Sequence, residues 1–212
     1  MNGVVRRALV ASCLVLVGCA RLEAEVGSDP GTDTAPKCDS TAALRLYYWN
    51  ARPADDTELI DFLIKIENRT GAAVPLASLS ARYYFRDELT PPTKLDVYYS
   101  DTCCSNKISF DDRVLSSVQR ISSPNADSYL EIGFEPSVGE LAPGDAAQVE
   151  MGYYDAASVA TSKQSNDYSF LASATGTQAN WDACPGPNCL PTFTNCALTL
   201  HDTGVRVWGT PP

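Results

Sequence analysis

Apolar and polar residues alternate in steps of two along most of the chain beyond residue 42. In "ELIDFLIKIEN", Ile60, Phe62, Ile64 and Ile66 share one face, and Asp61 and Lys65 take the other. "SARYYFR" sets Ala81, Tyr83 and Phe85 against Arg82, Tyr84 and Arg86. "ADSYLEIGF" sets Leu130, Ile132 and Phe134 against Tyr129 and Glu131, and "AAQVEMGYY" aligns Ala147, Val149, Met151 and Tyr153. A period of two belongs to extended strands with one packed and one wet face. The turn-forming clusters "ENRTGAAVP", "ELTPPT", "SSPNAD" and "LAPGD" separate these runs. No stretch carries a convincing amphipathic-helix period. The pattern predicts an all-β domain, an antiparallel β-sandwich of jelly-roll topology.

Four Tyr-Tyr pairs, at 47–48, 83–84, 98–99 and 153–154, add chemistry to this pattern. Neighbours on a strand face opposite sides, so each pair is expected to place one ring in the core and one outside. An outward ring offers a flat surface to the apolar C–H face of a sugar. Tyrosine is also simply a common strand residue whose hydroxyl tolerates water, and the pairs alone do not choose.

The N-terminus has a different character. Arg6 and Arg7 precede the apolar run "ALVASCLVLV", which is too short to span a membrane as a helix and reads as a signal peptide over residues 1–18. It ends in "LVGC", similar to the lipobox of bacterial lipoproteins. Cleavage before Cys19 would leave that cysteine for lipidation and a membrane anchor; an ordinary secretory signal cut elsewhere is the other reading. Residues 19–41, rich in Gly, Pro, Ser, Thr and Asp, read as a flexible linker, and 42–212 as one domain large enough for a core. Removing Arg6 and Arg7 with the leader takes the formal charge from −10 to −12. Such an acidic domain is a poor partner for nucleic acid or anionic lipid, and no obstacle to a neutral polysaccharide. With Cys13 in the leader and Cys19 lipidated, Cys38, Cys103, Cys104, Cys184, Cys189 and Cys196 remain as disulfide candidates in an exported protein, with the pairing open. Their spacing does not suit zinc, and His201 is the only histidine.

Three segments in order, "ARYYFRDE" (81–88), "ADSYLEIGF" leading to "LAPG" (126–144) and "QSNDYSF" (164–170), resemble the family 3 cellulose-binding module, and the terminal "GVRVWGTPP" agrees. The resemblance covers roughly residues 44 to 212. It implies a sandwich of about nine strands, no catalysis, and a bound calcium. Carried over residue by residue, the calcium ligands are the backbone oxygens of Arg86 and Lys163 and the side chains of Glu88, Asn166 and Asp167. An all-oxygen set of this kind suits a hard cation; an Asx-turn without metal is the alternative. Arg86 and Glu88 depart from the family's usual Thr and Asp, and Asp87 competes as a ligand. The resemblance also implies a shallow carbohydrate-binding groove of Arg82, Tyr84, Tyr129, Glu131 and Tyr168; a solvated, ion-paired sheet face is the alternative.

The family's flat strip for crystalline cellulose does not carry over. The loop Asp155–Ser165, "DAASVATSKQS", has no aromatic, the strip arginine falls near Gly152, and "YYSDTCCSNK" has no histidine where the family has an Asp-His pair. A Cys- and Pro-rich insertion, residues 181–200, precedes the last hairpin. Catalytic elbows, HExxH and P-loops are absent, and no pair of carboxylates sits in a recognisable hydrolase motif. The sequence is thus expected to encode no enzyme. It reads as an exported, lipid-anchored, calcium-containing module for cellulose or a related β-glucan. The other reading is a structural or protein-recognition envelope lipoprotein that has lost glycan binding.

Overall fold

The computed structural model describes residues 36, 38–89, 91–103, 107–157, 160–175 and 193–212. Among them the alternating runs become strands, with four short 3₁₀ turns and no α-helix. One sheet has six strands in the order β13 (Phe193–Thr194), β1 (Leu44–Asn50), β3 (Leu59–Asn68), β11 (Ala146–Asp155), β6 (Thr93–Cys103) and β7 (Ile108–Ser109). The other has five: β15 (Val205–Trp208), β14 (Thr199–Asp202), β5 (Leu79–Phe85), β9 (Ser128–Phe134) and β8 (Val114–Arg120). Two short ribbons join loops, β10 (Glu140–Leu141) with β4 (Val74–Pro75) and β12 (Ser162–Lys163) with β2 (Asp56–Thr57). All pairings are antiparallel. Among the described residues nine strands have four residues or more, the number the family resemblance implies, and six are two-residue bridges. The chain passes repeatedly from one sheet to the other, as a jelly roll does.

The inward faces are the predicted ones. Ile60, Phe62, Ile64 and Ile66 of β3 meet Ala81, Tyr83 and Phe85 of β5 and Leu130, Ile132 and Phe134 of β9 in one core. Aromatic rings bridge the two sheets at its centre. Phe62 stacks on Tyr83 with centroids 4.6 Å apart, and Tyr153 meets Phe85 edge-on at 5.3 Å. Each of these rings removes a large apolar surface from water, the main favourable contribution to folding.

Two expectations need correcting, and the start of the domain gains detail. The compact unit that is described starts at Pro36, and Cys38, in the stretch expected as linker, forms a disulfide with Cys196. Asp39 closes a local turn in this segment by accepting from the Thr41 amide. The Tyr-Tyr rule holds at 153–154; at 47–48 and 83–84 Tyr48 and Tyr83 join the main core while Tyr47 and Tyr84 point the other way but are buried as well. The rule fails at 98–99, where neither ring joins the core, because β6 bulges against β11 there. Finally, the outer face of the six-stranded sheet is less wet than alternation implies: Tyr47 and Leu63 form a second apolar cluster with Trp49 packed on it, and Lys65 is buried.

Candidate functional site

The five-stranded sheet presents the groove residues on its outer face. Antiparallel register pairs Arg82 with Glu131 and Tyr84 with Tyr129, so side chains that alternation had only placed on wet faces become direct neighbours. Arg82 Nε donates to Glu131 Oε1 at 3.0 Å, and the guanidinium carbon lies 4.6 Å from the centre of the Tyr129 ring. Tyr84 is 5.7 Å from Tyr129 and 6.3 Å, edge-on, from Tyr168. All five predicted groove residues are therefore together. The ion pair is about one-third exposed, which leaves it open to ligand and limits its contribution to stability.

The loop that brings Tyr168 is fixed by backbone bonds. Past the end of β14, Ser169 takes over as neighbour of β5: its amide donates to the Tyr84 carbonyl, and its hydroxyl accepts from the Tyr84 amide at 2.8 Å. Asn195 Nδ2 in turn donates to the Ser169 carbonyl at 2.7 Å, beside disulfide-bonded Cys196. At the chain end, Gly209 has φ +74°, and a Cβ there would overlap the Leu198 carbonyl oxygen. Only glycine lets the terminal segment pass so close. From that segment the Pro211 carbonyl accepts from the Tyr168 hydroxyl at 3.4 Å.

Sequence reasoning missed the β14 contribution. Thr199 pairs with Arg82, and its hydroxyl is 2.9 Å from that of Tyr84; His201 pairs with Ser80. Burial and then the charge of Arg82 push the His201 imidazole below its ordinary value, and its Nδ1 is buried without a partner among the described residues. The signal was present in "ALTLHD", whose Leu198 and Leu200 alternate with Thr199 and His201. Beside Glu131 an open depression of about 490 Å³ continues the groove over Ser80, Gly133, Leu115 and Ser117.

The second predicted cluster also assembles. Glu88, from the loop after β5, accepts from the Lys163 amide at 2.9 Å and from Asn166 Nδ2 at 2.8 Å. Asp167 accepts from the Arg86 amide at 2.9 Å. Burial raises the Asp167 carboxyl to about 8; the Arg86 amide opposes this and the charge of Glu88 adds to it. Asn166 Oδ1 is buried and has no partner among the described residues. Two neighbouring carboxylates, one deeply buried, and an orphaned amide oxygen fit a hard cation. No three His, Cys, Asp or Glu side chains converge among the described residues, so such an ion would depend on amide and carbonyl oxygens as well. Cys103 is buried on β6. Cys19, Cys104, Cys184 and Cys189, the signal peptide and most of the 181–200 insertion lie outside the described residues.

Comparison with known proteins agrees with the fold. The family model described as a cellulose binding domain matches residues 45–209. Endoglucanase 5 of Pectobacterium carotovorum is 28% identical over 176 residues, which are 82% of this chain and 30% of the relative. Cellulosomal-scaffolding protein A of Acetivibrio thermocellus is likewise 28% identical, over 80% of this chain and 8% of its own length. The chain thus spans less than a third of these two relatives. Among solved structures, the CBM3a-L domain with flanking linkers from scaffoldin cipA of the Clostridium thermocellum cellulosome superposes with a TM-score of 0.68. It is 26% identical and covers 81% of this chain and 92% of its own. A family IIIa domain from Clostridium cellulolyticum shares the fold with a TM-score of 0.69 at 20% identity, over 81% and 99%.

Proposed function

The chain belongs to the family 3 cellulose binding domains, and from that premise we propose that it is a binding module for cellulose or a related β-glucan, with the groove of the five-stranded sheet as its contact surface. The family is one of binding modules rather than enzymes. The observation that carries the groove reading is the contiguity of Tyr84, Tyr129 and Tyr168 with the Arg82–Glu131 pair. The partly exposed Tyr129 and Tyr168 rings offer apolar faces to pyranose C–H groups over the buried Tyr84 that supports them, while the guanidinium and carboxylate offer donors and acceptors to its hydroxyls. Affinity electrophoresis on soluble β-glucans, with pull-down on insoluble cellulose, tests this. The wild-type chain is expected to be retarded, and Tyr84→Ala and Tyr129→Ala each to lose about tenfold in affinity. No retardation on any glycan ends this reading.

Three finer features complete the proposal. Glu88, Asn166 and Asp167, with the carbonyls of Arg86 and Lys163, are the residues that would hold calcium. When bound, the ion would neutralise the two carboxylates and staple the loop after β5 to the loop carrying Tyr168. Chelation is expected to lower the melting temperature, and added calcium, not magnesium, to restore it. The protein is exported and anchored through lipidated Cys19, which mass spectrometry of the membrane-extracted N-terminal peptide tests. The family's flat strip is missing, because Gly152 and the aromatic-free loop 155–165 stand in its place. The same gap favours a second reading, recognition of an envelope protein, which the glycan panel separates from the first.

A further inference from the structure

Tyr98 is 45% exposed, although it lies on a strand in the middle of the chain's most extensive pairing. Its position follows from an irregularity. The register of β6 with β11 shifts between Glu150, opposite Tyr99, and Met151, opposite Val97, leaving Tyr98 as the extra residue. A bulge breaks the two-residue alternation and re-aims the side chain. The ring comes down on Gly152: a Cβ there would overlap the Tyr98 hydroxyl, and would lie 2.8 Å from ring carbon Cε2 and 2.7 Å from Leu59 Cδ1. Tyr98 is thus laid across bare backbone on the outer face of the six-stranded sheet, with Leu59 beside it.

The surroundings of the ring are acidic. Asp61 on β3 and Asp96 on β6 are the two register partners of Gly152, and Glu150 stands two residues before it on β11. The charges acting on the ring are those of Asp61, Asp96, Glu150 and one guanidinium, Arg52. Arg52 is half exposed and 3.7 Å from Asp61, a loose pairing. The Tyr154 hydroxyl donates to Asp96. Asp61 Oδ1 is buried without a hydrogen-bond partner among the described residues. Burial and then the charge of Asp61 raise Glu150, and burial raises Asp61 in spite of Arg52.

We propose that this face binds a cationic amino-sugar chain, the C–H face of one ring stacking on Tyr98 while the combined negative field of Asp61, Asp96 and Glu150 attracts its ammonium groups. The proposal rests on the reading of the chain as a carbohydrate-binding module. A neutral glycan brings hydroxyl donors, but only a positive group is attracted by Asp96 and relieves the repulsion between Asp61 and Glu150. An ammonium beside a tyrosine ring gains a cation–π contribution as well. A flat, exposed ring on a sheet suits a pyranose face, whereas a lysine-rich peptide would gain from the charges and not from the platform.

The test measures binding of the full chain to a glucosamine hexamer, its N-acetylated form, cellohexaose and oligolysine in mildly acidic low-salt buffer. The glucosamine hexamer is expected to bind more tightly than the N-acetylated form or oligolysine, and to weaken with salt. Tyr98→Ala and Glu150→Gln are each expected to weaken it about tenfold, with melting temperatures not lowered, and Tyr84→Ala to leave it unchanged. Equal binding of the N-acetylated form or of oligolysine, or glucosamine binding untouched by Tyr98→Ala, overturns the proposal. If cellohexaose is held in a Tyr84-dependent way while the glucosamine hexamer is not held at all, this inference fails and the groove reading stands. If no sugar binds, both fail.

Discussion

The two outer faces of this sandwich are built from the same alternation and arrive at different chemistry. On the five-stranded sheet the register is regular, and Arg82 meets Glu131 while Tyr84 meets Tyr129. Charges there are matched, and the rings are held by neighbours and by the Ser169 loop. On the six-stranded sheet one extra residue in β6 interrupts the register, and Tyr98 lies over Gly152 among three carboxylates and a single loosely paired arginine. Regular pairing yields a neutralised, pre-positioned surface, whereas a bulge beside a glycine yields an exposed ring in an unbalanced field. One fold thereby carries two surfaces of different charge balance.

The strongest way to break the contrast is to remove what the faces share. Phe62→Ala deletes the ring stacked on Tyr83 between the sheets and should cost about 3–5 kcal/mol. Chemical denaturation is expected to show both faces lost in one transition; two separable transitions would mean that they are not coupled through the core. Next comes the disulfide. Cys38→Ser should cost about 2–4 kcal/mol, because the bond closes a long loop in the unfolded chain. Cys196 adjoins the Asn195–Ser169 contact, so hydrogen exchange should rise at Ser169 and Tyr168 and stay level at Tyr98.

Tyr84→Ala acts on one face alone, and its tenfold loss on β-glucan should leave glucosamine binding intact. The smallest expected effect is a pH dependence of opposite sign on the two faces. Folding lowers the pKa of His201, so its contribution to stability is complete above its unfolded value of 6.5 and is lost as pH falls below that. Folding raises Asp61 and Glu150, so their contribution is complete below unfolded values of 3.8 and 4.5 and is lost as pH rises through the folded ones. Melting curves across pH should therefore lose their downward slope below 6.5 in His201→Asn, and Glu150→Gln should gain stability at neutral pH. An unchanged acid slope in His201→Asn would mean that another group governs it.

Much of this was legible beforehand. The inward residues of β3, β5, β9 and β11 follow from period two, and so does the outward direction of Arg82, Tyr84, Tyr129 and Glu131, although Tyr84 is covered by its neighbours and buried. Motif resemblance also named Glu88, Asn166 and Asp167, which the fold draws together across 75 or more residues of chain. Thr199 and His201 were overlooked because the alternation of "ALTLHD" places them on an outward face without showing that this face borders Arg82 and Tyr84. The Cys38–Cys196 pair was one of many open pairings, since loop-closing partners are chosen by distance in space and not by spacing in sequence.

Alternation is a local property: each residue's side-chain direction is fixed by its own extended backbone. The sequence alone therefore determined which residues form strands, which side of each strand is apolar, and that the chain is acidic with tyrosines facing outward. Only the tertiary structure decided which outward residues meet, because register belongs to a pair of strands. It also decided that Tyr98 breaks the rule, because a bulge exists only against the partner strand, and the absence of a side chain at Gly152 is what gives that ring a place to lie.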